Sequence, residues 1–192
     1  VLQQLLDALP EKIDKDRKEW RDQIKEWDDK HPMSYNQTGD KILTTYAIDT
    51  LSKITDDDAI IVSDVGQHQM WVAQFYKFNY PRTHITSGGL GTMGFGFPAA
   101  MGAKFACPDK QVVCVTGDGS FQMNMQELSV AVEHNMDLTI MLLNNGHHGM
   151  VRQWQTMFFD GNYSASRFGV LPDFVKLAES FGAKGLRVDK PE

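Results

Sequence analysis

The sequence is poor in cysteine, in positive charge and in long apolar runs. Its 192 residues include 2 cysteines, Cys107 and Cys114, without CxxC spacing or an accompanying histidine pattern. Neither a disulfide framework nor a zinc site is therefore predicted, and a reducing cytoplasm fits. Lysine and arginine number 19 against 25 acidic residues, which gives a net charge of -6. Nothing in this balance favours nucleic acid or an anionic membrane as a partner.

No apolar run approaches the roughly 20 residues that span a bilayer. The amino terminus is typical of an amphipathic helix rather than a signal peptide, so we predict a cytoplasmic protein with no membrane partner. Hydrophobic residues make up 42% of the chain and charged residues 23%, as is usual for a globular domain. The chain is long enough to enclose one core, and small-molecule chemistry is the better expectation.

Three regions of the chain differ in composition. Residues 1–30 form a predicted helical leader, interpreted as the tail of a missing middle domain, and residues 31–39 form a linker that contains Pro32. Residues 40–192 form the main domain, which we predict to be truncated at its carboxyl end. The apolar residues of the leader recur at helical spacing and are Leu2, Leu5, Leu6, Leu9, Ile13, Trp20, Ile24 and Trp27. This pattern favours packing against a missing domain over a binding face built from the tryptophans.

Strand-like and helix-like segments alternate along the main domain. The predicted strands are 59–63, 83–86, 111–116, 138–143 and 184–188. The predicted helices are 43–54, 67–76, 95–106, 123–133 and 172–181. Such alternation indicates an α/β fold with a doubly wound, mainly parallel sheet and helices on both faces. Ligands of such folds bind at the carboxyl ends of the strands.

Two polar motifs follow buried strands of this predicted sheet. Gly117-Asp118-Gly119-Ser120 follows the strand at 111–116 and precedes a helix, and Asn144-Asn145-Gly146 follows the strand at 138–143. A carboxylate and an amide oxygen from adjacent strand ends suit Mg²⁺, which leaves positions for phosphate oxygens and water. A magnesium-bridged diphosphate is therefore predicted. The competing interpretation is that both motifs are ordinary turns, since Asp-Gly pairs are common there.

The spacing from GDGS to NN resembles the signature of thiamine-diphosphate enzymes. Three further segments, Asp64–Trp71 (DVGQHQMW), Ser87–Gly94 (SGGLGTMG) and Gly149–Gln155 (GMVRQWQ), are similar to the cofactor and substrate loops of acetohydroxyacid synthases, also called acetolactate synthases. The resemblance extends from about residue 40 to the end of the chain. It implies the thiamine-diphosphate-binding fold, with thiamine diphosphate and Mg²⁺ as cofactors.

The resemblance also implies roles for individual residues. The side chains of Asp118 and Asn145 and the main-chain carbonyl of His147 would bind the metal. Gln67 and His68 would bond the diphosphate. The full set expected to contact the cofactor is Val65, Gly66, Gln67, His68, Gly91, Met93, Gly117, Asp118, Gly119, Ser120, Asn145, His147, Gly149, Met150 and Val151.

Met93 would hold the cofactor in its bent shape, and Gly91 would allow close backbone contact. The residues expected to contact substrate are Met150, Arg152 and Trp154. Each role has a simpler structural competitor: His68 as a helix cap, Met93 as core filler, Trp154 as an interface anchor and Arg152 in a surface ion pair.

The family's reaction decarboxylates pyruvate and joins the two-carbon unit to a second 2-ketoacid, pyruvate or 2-ketobutyrate, toward branched-chain amino acids. The activating Glu is expected in a pyrimidine-binding domain of a partner subunit, so no catalytic residue is assigned here. The resemblance further implies a homodimer or tetramer, a regulatory subunit, FAD bound only by the full-length enzyme, and a plastid location in a plant. The chain alone is expected to bind cofactor without turnover.

Three alternatives stay open. A pyruvate oxidase-like enzyme or a 2-ketoacid decarboxylase would share the GDG and NN motifs. A non-catalytic cofactor-binding or assembly module would keep the fold without the reaction. A dinucleotide-binding domain is the third, because residues 89–94 (GLGTMG) fit the G-x-G-x-x-G pattern, although no acidic residue follows at the spacing that ribose binding requires.

Overall fold

The computed structural model describes residues 2–9 and 16–191, which belong to two units, Val1–Ser34 and Tyr35–Glu192. The first unit contains helices α1 (Leu2–Ala8) and α2 (Lys18–Lys30). Their large apolar side chains are exposed. Ile13 of the predicted apolar stripe lies outside the described residues. No helix within the described ranges has the length and apolar character needed to cross a bilayer.

The second unit is built on a parallel sheet. Its strands are β1 (Ile60–Ser63), β2 (His84–Thr86), β3 (Val112–Gly117) and β4 (Thr139–Leu143), in the spatial order β2-β1-β3-β4. β1 is buried along its whole length and β3 along all but its last residue. Their continuous apolar runs are therefore those of central strands that are covered on both faces.

Helices cover both faces of the sheet. They are α3 (Thr44–Ile54), α4 (Gln67–Phe75), α5 (Gly96–Ala106), α6 (Asp118–Asn124), α7 (Leu128–Glu133), α8 (Gly149–Phe158) and α9 (Phe174–Ser180), with a 3₁₀ turn at Met125–Glu127. Alternate residues of a strand point into different cores, as a pleated strand requires. Val62 packs into a cluster with α5 and α7, whereas Ile61 packs into another with α3 and α4. The predicted fold class is confirmed.

The chain reverses direction across the sheet between β1 and β3. From β1 it passes through α4 to β2 on one side, and then through α5 to β3 on the other side of β1. This reversal makes the carboxyl ends of β1 and β3 a topological switch point, where open α/β sheets bind their ligands. The loop that leaves β1 at 64–66 and the junction of β3 with α6 at 117–120 meet there.

Three predicted elements differ from the structure. The segment 184–188 is not a strand, because Gly185 lies against α9: a Cβ on it would be 2.9 Å from the Val175 Cα. The helix predicted at 123–133 starts earlier, at Asp118. It is also interrupted, since Asn124 leaves helical geometry at φ -138° and ψ 25°. The segment 149–155, interpreted as a loop, is the beginning of α8.

Candidate functional site

An open cavity of about 1150 Å³ includes the switch point and continues past β4 to residues 182–189. All the predicted site residues except Arg152 line it. They are Val65, Gly66, Gln67, His68, Gly91, Met93, Gly117, Asp118, Gly119, Ser120, Asn145, His147, Gly149, Met150, Val151 and Trp154. The structure therefore brings together residues from four separate segments of the chain, 65–68, 91–93, 117–120 and 145–154.

Asp118 is the first residue of α6 and is 2% exposed. Its Oδ1 accepts a hydrogen bond from the N–H of Gly119 at 2.8 Å, and its Oδ2 accepts one from the N–H of Gly146 at 2.6 Å. Gly146 directly follows Asn145, so the two predicted metal-binding side chains belong to one edge of the sheet. Each carboxylate oxygen still has lone-pair capacity for a cation.

The turn after β4 is closed by its own polar groups. Oδ1 of Asn145 accepts a hydrogen bond from the N–H of His147 at 2.9 Å, and Nδ1 of His147 lies 2.7 Å from the carbonyl oxygen of Asn145. The imidazole is therefore engaged within the turn, whereas the prediction assigns the metal to the main-chain carbonyl of His147. No group of three or more His, Cys, Asp or Glu side chains in the described ranges could hold a metal. A cation here would depend on carboxylate, amide and carbonyl oxygens, which Mg²⁺ accepts.

Residues 166–168 support this turn, which the sequence analysis missed. The N–H of His148 donates to the carbonyl of Ser166 at 2.9 Å, and the N–H of Phe168 donates to the carbonyl of Gly146 at 3.0 Å. The rings of His148 and Phe168 pack edge to face with centroids 4.5 Å apart. A single Phe in a polar segment carries no periodic signal, so this support was not visible in the sequence.

His68 lies in α4 with its imidazole inside the crevice. The residue is 7% exposed, and its Nε2 has no hydrogen-bond partner among the described residues. Burial lowers the pKa of His68 to about 4, so the ring is neutral at neutral pH and one of its nitrogens carries a proton. The tautomer with its proton on Nε2 would offer an unpaired donor beside Gly66 and Gly117, which fits an anionic oxygen of a diphosphate.

The two glycines beside His68 leave room for its ring. A Cβ on Gly66 would lie 2.9 Å from Cε1 of His68, and a Cβ on Gly117 would lie 3.1 Å from the same atom. Ser120 of α6 joins this helix to the loop after β1, because its hydroxyl donates to the carbonyl of Val65 at 2.9 Å. The loop after β1 and the start of α6 therefore form one connected surface at the switch point.

The loop after β2 presents Met93 to the cavity. Met93 is half-buried, and it lies between two glycines in the left-handed region, Gly91 at φ 65° and Gly94 at φ 85°. The N–H of Thr92 donates to the hydroxyl of Ser87 at 3.0 Å, which closes the loop. Sequence reasoning identified Met93 and Gly91, but it did not identify the side chains that hold this turn in place.

Helix α8 forms the wall next to α4. Nε2 of Gln67 donates to Oε1 of Gln153 at 2.8 Å, and the Gln67 side chain passes over Gly149, where a Cβ would lie 2.1 Å from its Oε1. Met150, Val151 and Trp154 are residues of this helix, which corrects the interpretation of 149–155 as a loop. His68 lies in α4, where a helix was predicted at 67–76.

Arg152 is placed differently from the other predicted substrate contacts. Its guanidinium carbon lies 3.8 Å from the centroid of the Tyr163 ring, a cation–π geometry. The described structure therefore engages Arg152 with an aromatic face outside the cavity lining, and its predicted contact with a substrate carboxylate stays a prediction.

The fold and the site together define a parallel α/β domain whose switch point has the polar groups and glycines that suit a phosphorylated ligand. Residues 64–192 match the protein family described as thiamine pyrophosphate enzyme, C-terminal TPP binding domain. This chain belongs to that family, whose cofactor, thiamine pyrophosphate, is the thiamine diphosphate predicted above. A solved thiamine diphosphate-dependent 4-hydroxybenzoylformate decarboxylase of Rhodococcus jostii RHA1 is 28% identical, with a TM-score of 0.74 over 83% of this chain and 30% of that chain.

Among enzymes that use this cofactor, the chain is similar to acetolactate synthases. The acetolactate synthase large subunit of Buchnera aphidicola (Acyrthosiphon pisum strain) is 50% identical over 100% of this chain and 34% of its own length. The isozyme 3 large subunit of Escherichia coli K12 is 47% identical, with the same coverage. The mitochondrial acetolactate synthase catalytic subunit of Saccharomyces cerevisiae is 47% identical over 93% of this chain and 26% of its own length. The resemblance to acetolactate synthases is confirmed, and the chain spans about a third of the length of the first two.

Proposed function

We propose that this chain is the diphosphate-binding domain of an acetolactate synthase. The observation that carries the proposal is its 50% and 47% identity, along its whole length, with two acetolactate synthase large subunits. The site supports it, because the DVGQHQMW, SGGLGTMG and GMVRQWQ segments line the same cavity as GDGS and NN.

In this proposal the side chains of Asp118 and Asn145 and the carbonyl of His147 would hold Mg²⁺, which would neutralise the charge of the diphosphate. His68 donates a hydrogen bond from Nε2 to a phosphate oxygen, in the tautomer that carries the proton on Nε2, and Gln67 adds an amide donor. Met93 packs against the organic part of the cofactor, while Met150 and Trp154 face the substrates. The chain's tasks are thus to anchor the cofactor, fix its shape and exclude water.

Bound thiamine diphosphate supplies an electron sink for loss of CO₂ from a 2-ketoacid. We propose pyruvate as the donor and pyruvate or 2-ketobutyrate as the acceptor, for branched-chain amino acid synthesis. The activating Glu comes from the pyrimidine-binding domain of a partner subunit in a homodimer or tetramer. FAD binds a middle domain, a regulatory subunit is a further partner, and the location is the cytoplasm, or a plastid in a plant.

A second candidate is a 2-ketoacid decarboxylase, which the likeness to the Rhodococcus decarboxylase favours. The two functions differ in the fate of the two-carbon unit, which is either released as an aldehyde or joined to another ketoacid. Product analysis of the longer polypeptide with pyruvate separates them. Acetolactate supports the proposal, and acetaldehyde as the sole product contradicts it.

Calorimetric titration of the chain with thiamine diphosphate and Mg²⁺ tests the binding half of the proposal. We expect binding heat for the wild type and loss of it in Asp118→Ala, because the carboxylate proposed as the metal ligand is removed. Asp109→Ala is the matched control, since Asp109 is an exposed carboxylate outside the cavity lining. Equal heats for wild type and Asp118→Ala would contradict the proposed metal ligand.

An acetolactate assay tests where the activating acid lies. The chain alone should bind cofactor without turnover, and turnover should appear when the same chain is part of the longer polypeptide. Robust acetolactate formation by the chain alone would place the activating group among these residues and contradict the proposal.

A further inference from the structure

Asp64 is a buried carboxylate that the proposed function leaves without a role. It follows β1 and is 1% exposed. Its Oδ1 accepts hydrogen bonds from the N–H groups of Val65 at 2.7 Å and Gly94 at 2.9 Å, and its Oδ2 accepts one from the N–H of Gly96 at 3.0 Å. Gly94 lies in the loop that carries Met93, about 30 residues along the chain, and Gly96 is the first residue of α5, which follows that loop.

Asn124 holds the same loop from the opposite side. Its Nδ2 donates to the carbonyl of Gly94 at 2.7 Å. Side chains from two different elements therefore bind both backbone polar groups of Gly94, the residue after Met93. The bond from Asn124 to Gly94 also explains why the helix predicted at 123–133 is interrupted after α6, because the backbone of Asn124 leaves helical geometry at the residue that makes this bond.

Side chains of α6 also fill the space around Gly94. Gly94 has φ 85° and is buried, and a Cβ on it would lie 2.8 Å from Cβ of Met123 and 2.9 Å from Nδ2 of Asn124. Gly96 is equally restricted, since a Cβ there would lie 2.7 Å from Cβ of Asp64. The turn is thus fixed by two hydrogen-bonding side chains and by contact.

We propose that Asp64 and Asn124 are positioning residues that clamp the Met93 turn and thereby set the side chain that shapes the bound cofactor. This inference rests on the proposed function. Burial of the Asp64 carboxylate has a large desolvation cost. Its three charge-assisted hydrogen bonds from backbone N–H groups offset that cost, so these bonds are strong and fix the backbone that donates them. The loop gains rigidity next to Met93, the side chain proposed to pack against the organic part of the cofactor.

The test measures how Asn124→Ala binds two ligands, thiamine diphosphate and inorganic pyrophosphate, each with Mg²⁺. Asn124→Ala removes one side of the clamp and leaves the Asp64 bonds in place, so the fold is retained. We expect the Kd for thiamine diphosphate with Mg²⁺ to rise about tenfold, the loss of one well-formed hydrogen bond to a fixed turn. The Kd for Mg²⁺ with inorganic pyrophosphate should stay unchanged, because Met93 would not touch the diphosphate. Asn79→Ala is the matched control, since Asn79 makes an exposed bond to Asp57.

A double-mutant cycle identifies the route of the effect. If Asn124 acts through Met93, Asn124→Ala should change the Kd for thiamine diphosphate little in a Met93→Ala background, and the two changes will not be additive. Asp64→Asn should lose more binding than Asn124→Ala, since the replacement amide turns a donor toward backbone N–H groups. Additive effects of Asn124→Ala and Met93→Ala would overturn the inference.

The remaining outcomes separate the inference from the proposed function. Failure of the wild type to bind thiamine diphosphate would overturn the proposed function and the inference with it. Binding by the wild type that Asn124→Ala leaves unchanged would overturn the inference alone. Equal weakening of thiamine diphosphate and pyrophosphate would show a general structural role and would also overturn it.

Discussion

Gly119, the residue after Asp118, leaves no room for a side chain, because the rings of His148 and Phe168 occupy that space. A Cβ on Gly119 would lie 3.0 Å from Cζ of Phe168 and 3.1 Å from the imidazole of His148. These rings belong to the two segments that hold the turn around Asn145. A side chain at Gly119 would therefore displace these rings and, with them, the turn that contains Asn145, a proposed metal ligand.

We expect Gly119→Ala to weaken binding of thiamine diphosphate with Mg²⁺ about tenfold, at the lower end of the cost of overpacking. Phe168→Leu in the same chain should recover part of the loss, because a smaller side chain opens the contact. Gly169→Ala is the control, since nothing lies within 4 Å of its Cβ. Unchanged affinity in Gly119→Ala, measured by calorimetry, would show that the His148 and Phe168 rings move aside freely.

Local sequence signals explain which site residues could be predicted. Asp118 and Asn145 follow apolar strand runs directly, so their meeting at one sheet edge follows from parallel topology. Asp64 also follows a strand, but its partners at Gly94 and Gly96 are set by the path of a loop, which no period encodes. Asn124 and Phe168 act through long-range contacts that a single sequence does not display.

Among the helices and strands, α8 was not predicted from the sequence. Its residues Met150, Trp154, Met157 and Phe158 recur at helical spacing, a signal that was available but was obscured by the interpretation of 149–155 as a loop. The buried strands β1 and β3 were predicted to within one residue at their ends. The segment 184–188 has the apolar alternation of a strand, yet its position is decided by Gly185 against α9, which composition does not reveal.

The start of α8 is held by Gln67, and Gly149→Ala tests this contact. A Cβ at this position meets Oε1 of Gln67 at 2.1 Å, so the amide must turn away and lose its bond to Gln153. We expect the variant to lower the free energy of unfolding by about 1–3 kcal/mol, measured by urea titration. The same variant should weaken cofactor binding, since Gln67 is a proposed diphosphate donor.

Gly102→Ala is the matched substitution for this measurement. Gly102 lies inside α5 and has nothing within 4 Å of its Cβ, so alanine there should raise the free energy of unfolding by about 0.5–1 kcal/mol. Opposite signs for the two glycines would separate a contact at Gly149 from helix propensity. A stabilising effect of Gly149→Ala would contradict the proposed role of Gln67 in holding α8.

At the scale of the whole molecule, the polar groups of the site are buried in the same region as the core. Asp64, His68, Asp118 and Ser120 are all below 9% exposed, next to β-strands packed on both faces. Binding and folding therefore depend on the same side chains. A group that is kept neutral for binding also makes the stability of the entire domain depend on pH.

His68 makes that dependence measurable. Burial lowers its pKa from 6.5 to about 4, so between these values the unfolded chain takes up a proton that the folded chain does not. The free energy of unfolding should fall as the pH falls through this window, and the contribution of His68 is complete only above about pH 6.5. A shift of this size corresponds to roughly 3 kcal/mol.

His68→Gln removes this titration and retains a polar side chain of similar size. Urea titrations from neutral pH down to about pH 4 should show a smaller fall in the free energy of unfolding for His68→Gln than for the wild type, by about 3 kcal/mol at the acid end. Other groups that titrate in this range, such as half-buried His84, whose pKa burial also lowers, cancel because both proteins contain them. Parallel curves for the two proteins would mean that solvent reaches the imidazole, and the neutral Nε2 donor assigned to the diphosphate would lose its physical basis.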